Sequence, residues 1–196
     1  MTILWRKNSE RRRPSQAGFT LVEILIALFV MAVGLMGVAA LFVTAIASNQ
    51  RSKVDSGATL VSETVLDQIS AHDANNAGTI PIVDCTGVQR NFSMVAGAAN
   101  NGAGATLIPV GTAGAGSINW AGGANGYTNN FVMCGPAGTQ LTYEVRWNVM
   151  AMPGAMDVTS QQYLRMVAVS SRQLNQGNDA RLFNPPVTLR TVVGMN

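Results

Sequence analysis

The sequence predicts an α+β fold, with one long N-terminal helix packed by its second half on a small antiparallel β-sheet domain. Two observations predict the helix. No proline occurs between Phe19 and Pro81, and the apolar residues Val54, Ala58, Val61, Val65 and Ile69 recur at three- and four-residue steps. A third predicts the sheet. Leu141, Tyr143, Val145, Trp147 and Val149 alternate with Thr142, Glu144, Arg146 and Asn148, the period of a strand buried on one face.

Taken in order, residues 1–18 form a basic leader with Arg6, Lys7, Arg11, Arg12 and Arg13. It holds five of the 13 Lys and Arg and one of the 10 Asp and Glu, a net of +4. The formal +3 of the 196-residue chain therefore becomes −1 without it. The basic balance belongs to the leader and implies no nucleic-acid footprint on the rest. Cations beside an apolar span instead hold that end in the cytoplasm.

Residues 19–47 form the apolar half of the helix, transmembrane or filament-core in character. Ile24 to Ala47 would extend roughly 36 Å as a helix, enough to cross a hydrocarbon core. Glu23 is the one charge in the run from Gly18 to Ala47. Its carboxylate costs roughly 2.5–3.5 kcal/mol near a hydrocarbon phase, which marks it as functional. A cut between Gly18 and Phe19 precedes the apolar run, so the span stays in the product, unlike a secretory signal. An uncleaved signal anchor is the alternative.

Residues 48–74 form the amphipathic half. The predicted helix runs from about Phe19 to His72, with Asn75, Asn76 and Gly78 as stop signals. Gly34 and Gly37 suit close helix–helix approach in a bilayer, or a segment able to stretch. Residues 75–196 form the globular domain. Its Gly/Ala/Asn-rich region, about residues 96–126, predicts a solvated loop and resembles no phosphate cradle, because no Gly-Lys-Ser/Thr follows the glycines. Short strands are predicted at Ile80–Val83 and Thr106–Val110, and longer ones at Tyr163–Ser170 and Val187–Val193. Met152-Pro-Gly and Gly177-Asn-Asp are turn signals between them.

Cys85 and Cys134 are the only cysteines. With the N-terminus inside, both lie outside the cytoplasm, where a disulfide persists. Closing a loop of about 50 residues contributes roughly 4 kcal/mol in the chain-entropy model. Two unpaired thiols are the alternative. His72 and two cysteines supply too few ligands for a metal site, and no cofactor is expected.

Gly18-Phe19-Thr20-Leu21-Val22-Glu23 resembles the type III leader and N-terminal motif of type IV pilins and of type II secretion pseudopilins. The resemblance covers residues 6–47. It implies a type IV pilin-like fold, cleavage after Gly18 by a prepilin peptidase, and N-methylation of Phe19. It also implies that Glu23, fifth in the mature chain, docks the subunit into a filament of major and minor pilins. The inner membrane and the assembly platform are the remaining partners so implied. The chain would be single-pass, with a periplasmic C-terminal domain that later reaches the cell surface. The stretch Met31-Ala-Val-Gly-Leu-Met-Gly37 is similar to minor pilins of the PilV type, and Ala40 stands where many major pilins carry proline.

The sequence also offers residues for other chemistries. Asp67 with Asp73, or Glu144 with Asp157, offer acid–base pairs, and Ser170 and Ser171 offer nucleophiles. Acyl transfer needs a nucleophile, a base and an orienting group together, and His72 sits alone at a helix end. No enzymatic activity is expected. Arg165, Arg172, Arg181 and Arg190 with Trp120 and Tyr127 offer a nucleic-acid contact patch, against the blander reading of a solvated sheet face with core aromatics.

Overall fold

A computed structural model describes residues 18–99, 101–152, 164–174 and 185–194. The leader cations Arg6 to Arg13, the turn residues Pro153, Gly154 and Gly177 to Asp179, and Asp157, Tyr163 and Arg181 lie outside the described residues. The chain divides after Ala47 into two compact units.

The first unit holds the N-terminal part of helix α1 (Leu21–Ser70). Every one of its described side chains is exposed, including Leu25, Phe29, Leu35 and Phe42. Such a rod satisfies its own backbone hydrogen bonds and leaves its apolar surface for lipid or for other helices. A Cβ built at Gly34 or Gly37 would touch nothing within 4 Å, so neither glycine serves a contact within the described part of the first unit. The helix starts at Leu21, two residues later than predicted, because Thr20 caps it. Glu23 N–H donates to the Thr20 carbonyl at 3.0 Å and to Thr20 Oγ1 at 3.3 Å.

The second unit is built around two sheets. Strands β1 (Thr79–Val83) and β2 (Gln89–Ser93) form an antiparallel hairpin. The larger sheet contains β3 (Ala103–Gly104), β4 (Thr128–Cys134), β5 (Gln140–Ala151), β6 (Leu164–Gln173) and β7 (Val187–Gly194). Its order is β3-β5-β6-β7, with β4 also paired to β5, and its pairings are antiparallel.

Within this unit the C-terminal half of α1 buries Ala58, Val61, Ser62, Val65, Leu66 and Ile69. These meet Tyr143, Val145, Trp147 and Val149 of β5 and Val167 and Val169 of β6 in one core. Removing a side chain of this size from water contributes about 1.5–3 kcal/mol. The hairpin closes the core with Ile80, Ile82 and Phe92, whose ring lies 4.7 Å from that of Trp147. Trp147 Nε1 donates to the Ser93 carbonyl at 2.8 Å, which satisfies the one polar group of the indole.

Three expectations are corrected. Thr106–Val110 is no strand: only Leu107 bridges Ile118, and Pro109 has no N–H for a ladder. The glycine-rich region is in part a packed layer. Ala105 and Ile118 are buried on Ala168 of β6, with Leu107, Trp120 and Ala124 around them. Residue Arg165 is wholly buried rather than on a solvated face. Its guanidinium donates to the carbonyls of Ile69, His72 and Asn76, at and just past the end of α1, so a strand residue caps the helix.

Candidate functional site

The N-terminal site consists of Gly18, Phe19, Thr20 and Glu23. Gly18, Phe19 and Thr20 precede the helix, have no regular secondary structure and are exposed, Phe19 by 80%. The peptide bond between Gly18 and Phe19 is thus open to an approaching enzyme. A Cβ on Gly18 would meet nothing within 4 Å, so packing inside the chain does not demand glycine there.

Glu23 lies in the first turn of α1. Thr20-Leu21-Val22-Glu23 places a Thr at the cap and an acid three residues on, the spacing of a capping box. The carboxylate therefore sits where the helix dipole favours negative charge. The Thr20 cap was not singled out from the sequence, although the Thr-x-x-Glu spacing before an apolar run carries its signal.

In the second unit Cys85, just after β1, is bonded to Cys134 at the end of β4, with an S–S distance of 2.05 Å and Cα atoms 5.7 Å apart. The bridge ties the hairpin to the larger sheet. Beside it, Asp84 Oδ1 accepts hydrogen bonds from the Thr86 hydroxyl and from the N–H groups of Thr86 and Val88, while Arg90 approaches Oδ2 at 3.4 Å. Burial alone would raise the Asp84 pKa; these hydrogen bonds outweigh it and hold the carboxyl below its ordinary value.

The other sequence-predicted groups fall into structural roles. Ser171 donates to the Ala58 carbonyl and accepts from Ser62. Ser170 donates to the Val187 carbonyl and accepts from Trp120 Nε1 and Thr188. The hydrogen bonds of neither hydroxyl reach a histidine or a carboxylate. Asp67 is exposed on α1, and Asp73 acts on the buried Arg165 by its charge. Glu144 bridges Arg146 and Arg172, each at 2.8 Å, with both guanidinium groups against the Trp120 ring at 4.6 and 4.2 Å. Burial would raise the Glu144 pKa, but the two arginines hold it below its ordinary value. Among the described residues no cluster of three or more His, Cys, Asp or Glu has the geometry of a metal site.

The alternative of an arginine and aromatic contact patch is therefore not assembled among the described residues. Arg165 is buried, Arg172 is paired, Trp120 is covered by arginines, and the Tyr127 hydroxyl donates to the Val95 carbonyl with its ring 5.4 Å from that of Trp147. Only Arg190 of the described members is exposed.

Residues 13–39 match the family model described as a prokaryotic N-terminal methylation motif. The match supports a type IV pilin-like or pseudopilin-like chain. No curated protein and no solved structure matches the chain. For a pilin-like chain the motif implies processing by a prepilin peptidase and assembly with other pilins. The helix that follows is long and apolar enough to cross a membrane, which fits anchoring in the inner membrane.

Proposed function

We propose that this chain is the precursor of a minor type IV pilin, a structural subunit for pilus assembly or initiation, similar to the PilV type. The observation that carries the reading is the order of parts at the N-terminus: an exposed, non-helical Gly18–Phe19 bond, a capping Thr20, and an acid in the first turn of a bare apolar helix. The residues from 1 to 18 are the leader, Phe19 becomes the methylated N-terminus, and Glu23 docks the subunit. The pilin carries no chemistry of its own.

Cleavage removes a net +4 and creates an α-amine on Phe19. In low dielectric that cation, on the same or a neighbouring subunit, stabilises Glu23 far more than it would in water. An unpaired Glu23 is penalised in the bilayer, which favours transfer into a filament position that pairs it. Removing one partner of such a buried pair typically costs about 3–5 kcal/mol. The reading predicts a single-pass precursor with a cytoplasmic leader and a periplasmic domain. Its partners are prepilin peptidase, the assembly platform, and major and minor pilins.

The test is Glu23→Ala: the variant is processed normally and stays in the membrane but does not enter filaments. Normal incorporation rejects the pairing. Deletion of the protein removes surface pili and spares protein export. Lost export with intact pili would assign it instead to a type II secretion machine.

A further inference from the structure

We propose that the groove between the glycine-rich loop and the far end of the larger sheet binds a short extended peptide that places a carboxylate beside an apolar side chain. Met150 and Met166 are cross-strand partners on β5 and β6 and line the groove. Strand alternation puts them on the face opposite the helix-packed Val149 and Val167. The loop packs on Ala168 but leaves the methionine end open, so Leu107 and Ile108 form a wall of a cavity of about 990 Å³. That volume lies at the upper end of the range for ligand sites, which run from about 300 to 1,000 Å³.

Arg190 on β7 also lines the cavity and is the one ionisable side chain among the described residues that line it. Arg190 Nη1 donates to the Ala115 carbonyl at 3.3 Å, and no carboxylate among the described residues pairs with it. Gly116 has φ +76°, and a Cβ there would run into the Arg190 guanidinium, so glycine lets the loop pass beneath the side chain.

The site thus offers an apolar, adaptable thioether lining beside a fork of N–H donors that no described carboxylate neutralises. Methionine accommodates varied apolar groups, and guanidinium binds a carboxylate through two parallel hydrogen bonds. A nucleic acid fits poorly: among the described residues no aromatic side chain lines the groove to stack a base, and one cation gives little phosphate attraction. The inference concerns the second unit alone and stands whether or not the leader is removed.

The experiment uses the full chain in detergent, labelled at its methionine methyl groups, with the Met150 and Met166 signals assigned through Met150→Leu and Met166→Leu. The probes are acetyl-Ala-Leu-Asp-Ala-amide and its neutral Asn counterpart. The acidic peptide shifts both methyl signals saturably, and the neutral one binds about tenfold or more weakly, as expected when a charge-assisted pair is lost. Arg190→Gln abolishes that difference, whereas Arg51→Gln, a charge loss on α1, preserves it. Arg190 is exposed, so the variant keeps its fold, checked by an unchanged urea midpoint. Equal binding of both peptides overturns the proposal, as does the absence of a saturable shift. So does a response of these methyls to a single-stranded oligonucleotide but not to peptide, or to dilution of the chain alone.

Discussion

Arg165 Nη2 donates to the carbonyl oxygen of Ile69 at 2.9 Å, from a strand position with no solvent exposure. The same group reaches the His72 carbonyl, and Nη1 reaches that of Asn76. The last carbonyls of a helix lack intrahelical donors and carry the negative end of its dipole, so one buried cation satisfies both needs. Burial lowers the guanidinium pKa and the Asp73 charge partly restores it. Arg165→Met is expected to destabilise the second unit by about 3 kcal/mol, since several buried acceptors lose their donor at once. Arg165→Lys, with a point charge and fewer donors, recovers only part. Urea midpoints measure both, and an unchanged midpoint for Arg165→Met refutes the cap.

Gly57 and Tyr143 make a second close contact. A Cβ on Gly57 would overlap the Tyr143 hydroxyl, which is buried and has no hydrogen-bond partner among the described residues. Gly57→Ala should therefore cost about 1–3 kcal/mol through overpacking, although alanine is the better helix former. Tyr143→Phe should be neutral or stabilising by about 1 kcal/mol, and in its presence Gly57→Ala should cost less. A double-mutant cycle with additive effects would count against this contact. Burial also raises the Tyr143 pKa. The folded state then holds its proton longer than the unfolded state, so stability falls as pH rises above the unfolded value of about 10. Tyr143→Phe should remove that part of the alkaline loss.

At the acid end Glu144 is the sensor. Its pKa is depressed from 4.5 by Arg172 and Arg146 despite opposing burial. The stabilisation is complete above the unfolded value and disappears as pH falls through the lower folded value. Urea midpoints of the wild type should decline below about pH 4.5, and Glu144→Gln should flatten part of that decline. An identical slope in the variant would show that the ion pairs contribute nothing to it.

The disulfide closes a loop with a sequence separation of 49. Cys85→Ser with Cys134→Ser should lower stability by about 2–4 kcal/mol, somewhat under the chain-entropy value. The hairpin amides of β1 and β2 should lose hydrogen-exchange protection before those of β5 and β6, because the bridge cross-links the two sheets beyond the main-chain connection. Simultaneous loss of protection would contradict that order.

Much of the architecture was readable from periodicity. The alternation at Tyr143, Val145, Trp147 and Val149 placed β5 and its buried face, and Ala58, Val61, Val65 and Ile69 marked the packed stripe of α1. What stayed hidden has physical reasons. Strand β2 reads as polar because only Phe92 turns fully inward while Arg90 approaches Asp84. The loop layer packs through Ala105, Leu107, Ile118, Trp120 and Ala124, apolar residues scattered among glycines at no helix or strand period. The burial of Arg165 depends on a helix end that is distant in sequence, and local pattern cannot report it. At the N-terminus the string from Gly18 to Glu23 stands out in the sequence because its spacing is local, and the Thr20 cap seen in the structure has an equally local signal.

The central claim is that a basic head is removed and the apolar helix behind it is retained. Intact-mass measurement of native, membrane-extracted protein tests it directly. The account predicts a chain beginning at Phe19, heavier by the net CH2 of one N-methylation and lighter by the two hydrogens of the Cys85–Cys134 bond. A mass beginning at Met1, or one lacking the apolar half of α1, would contradict it.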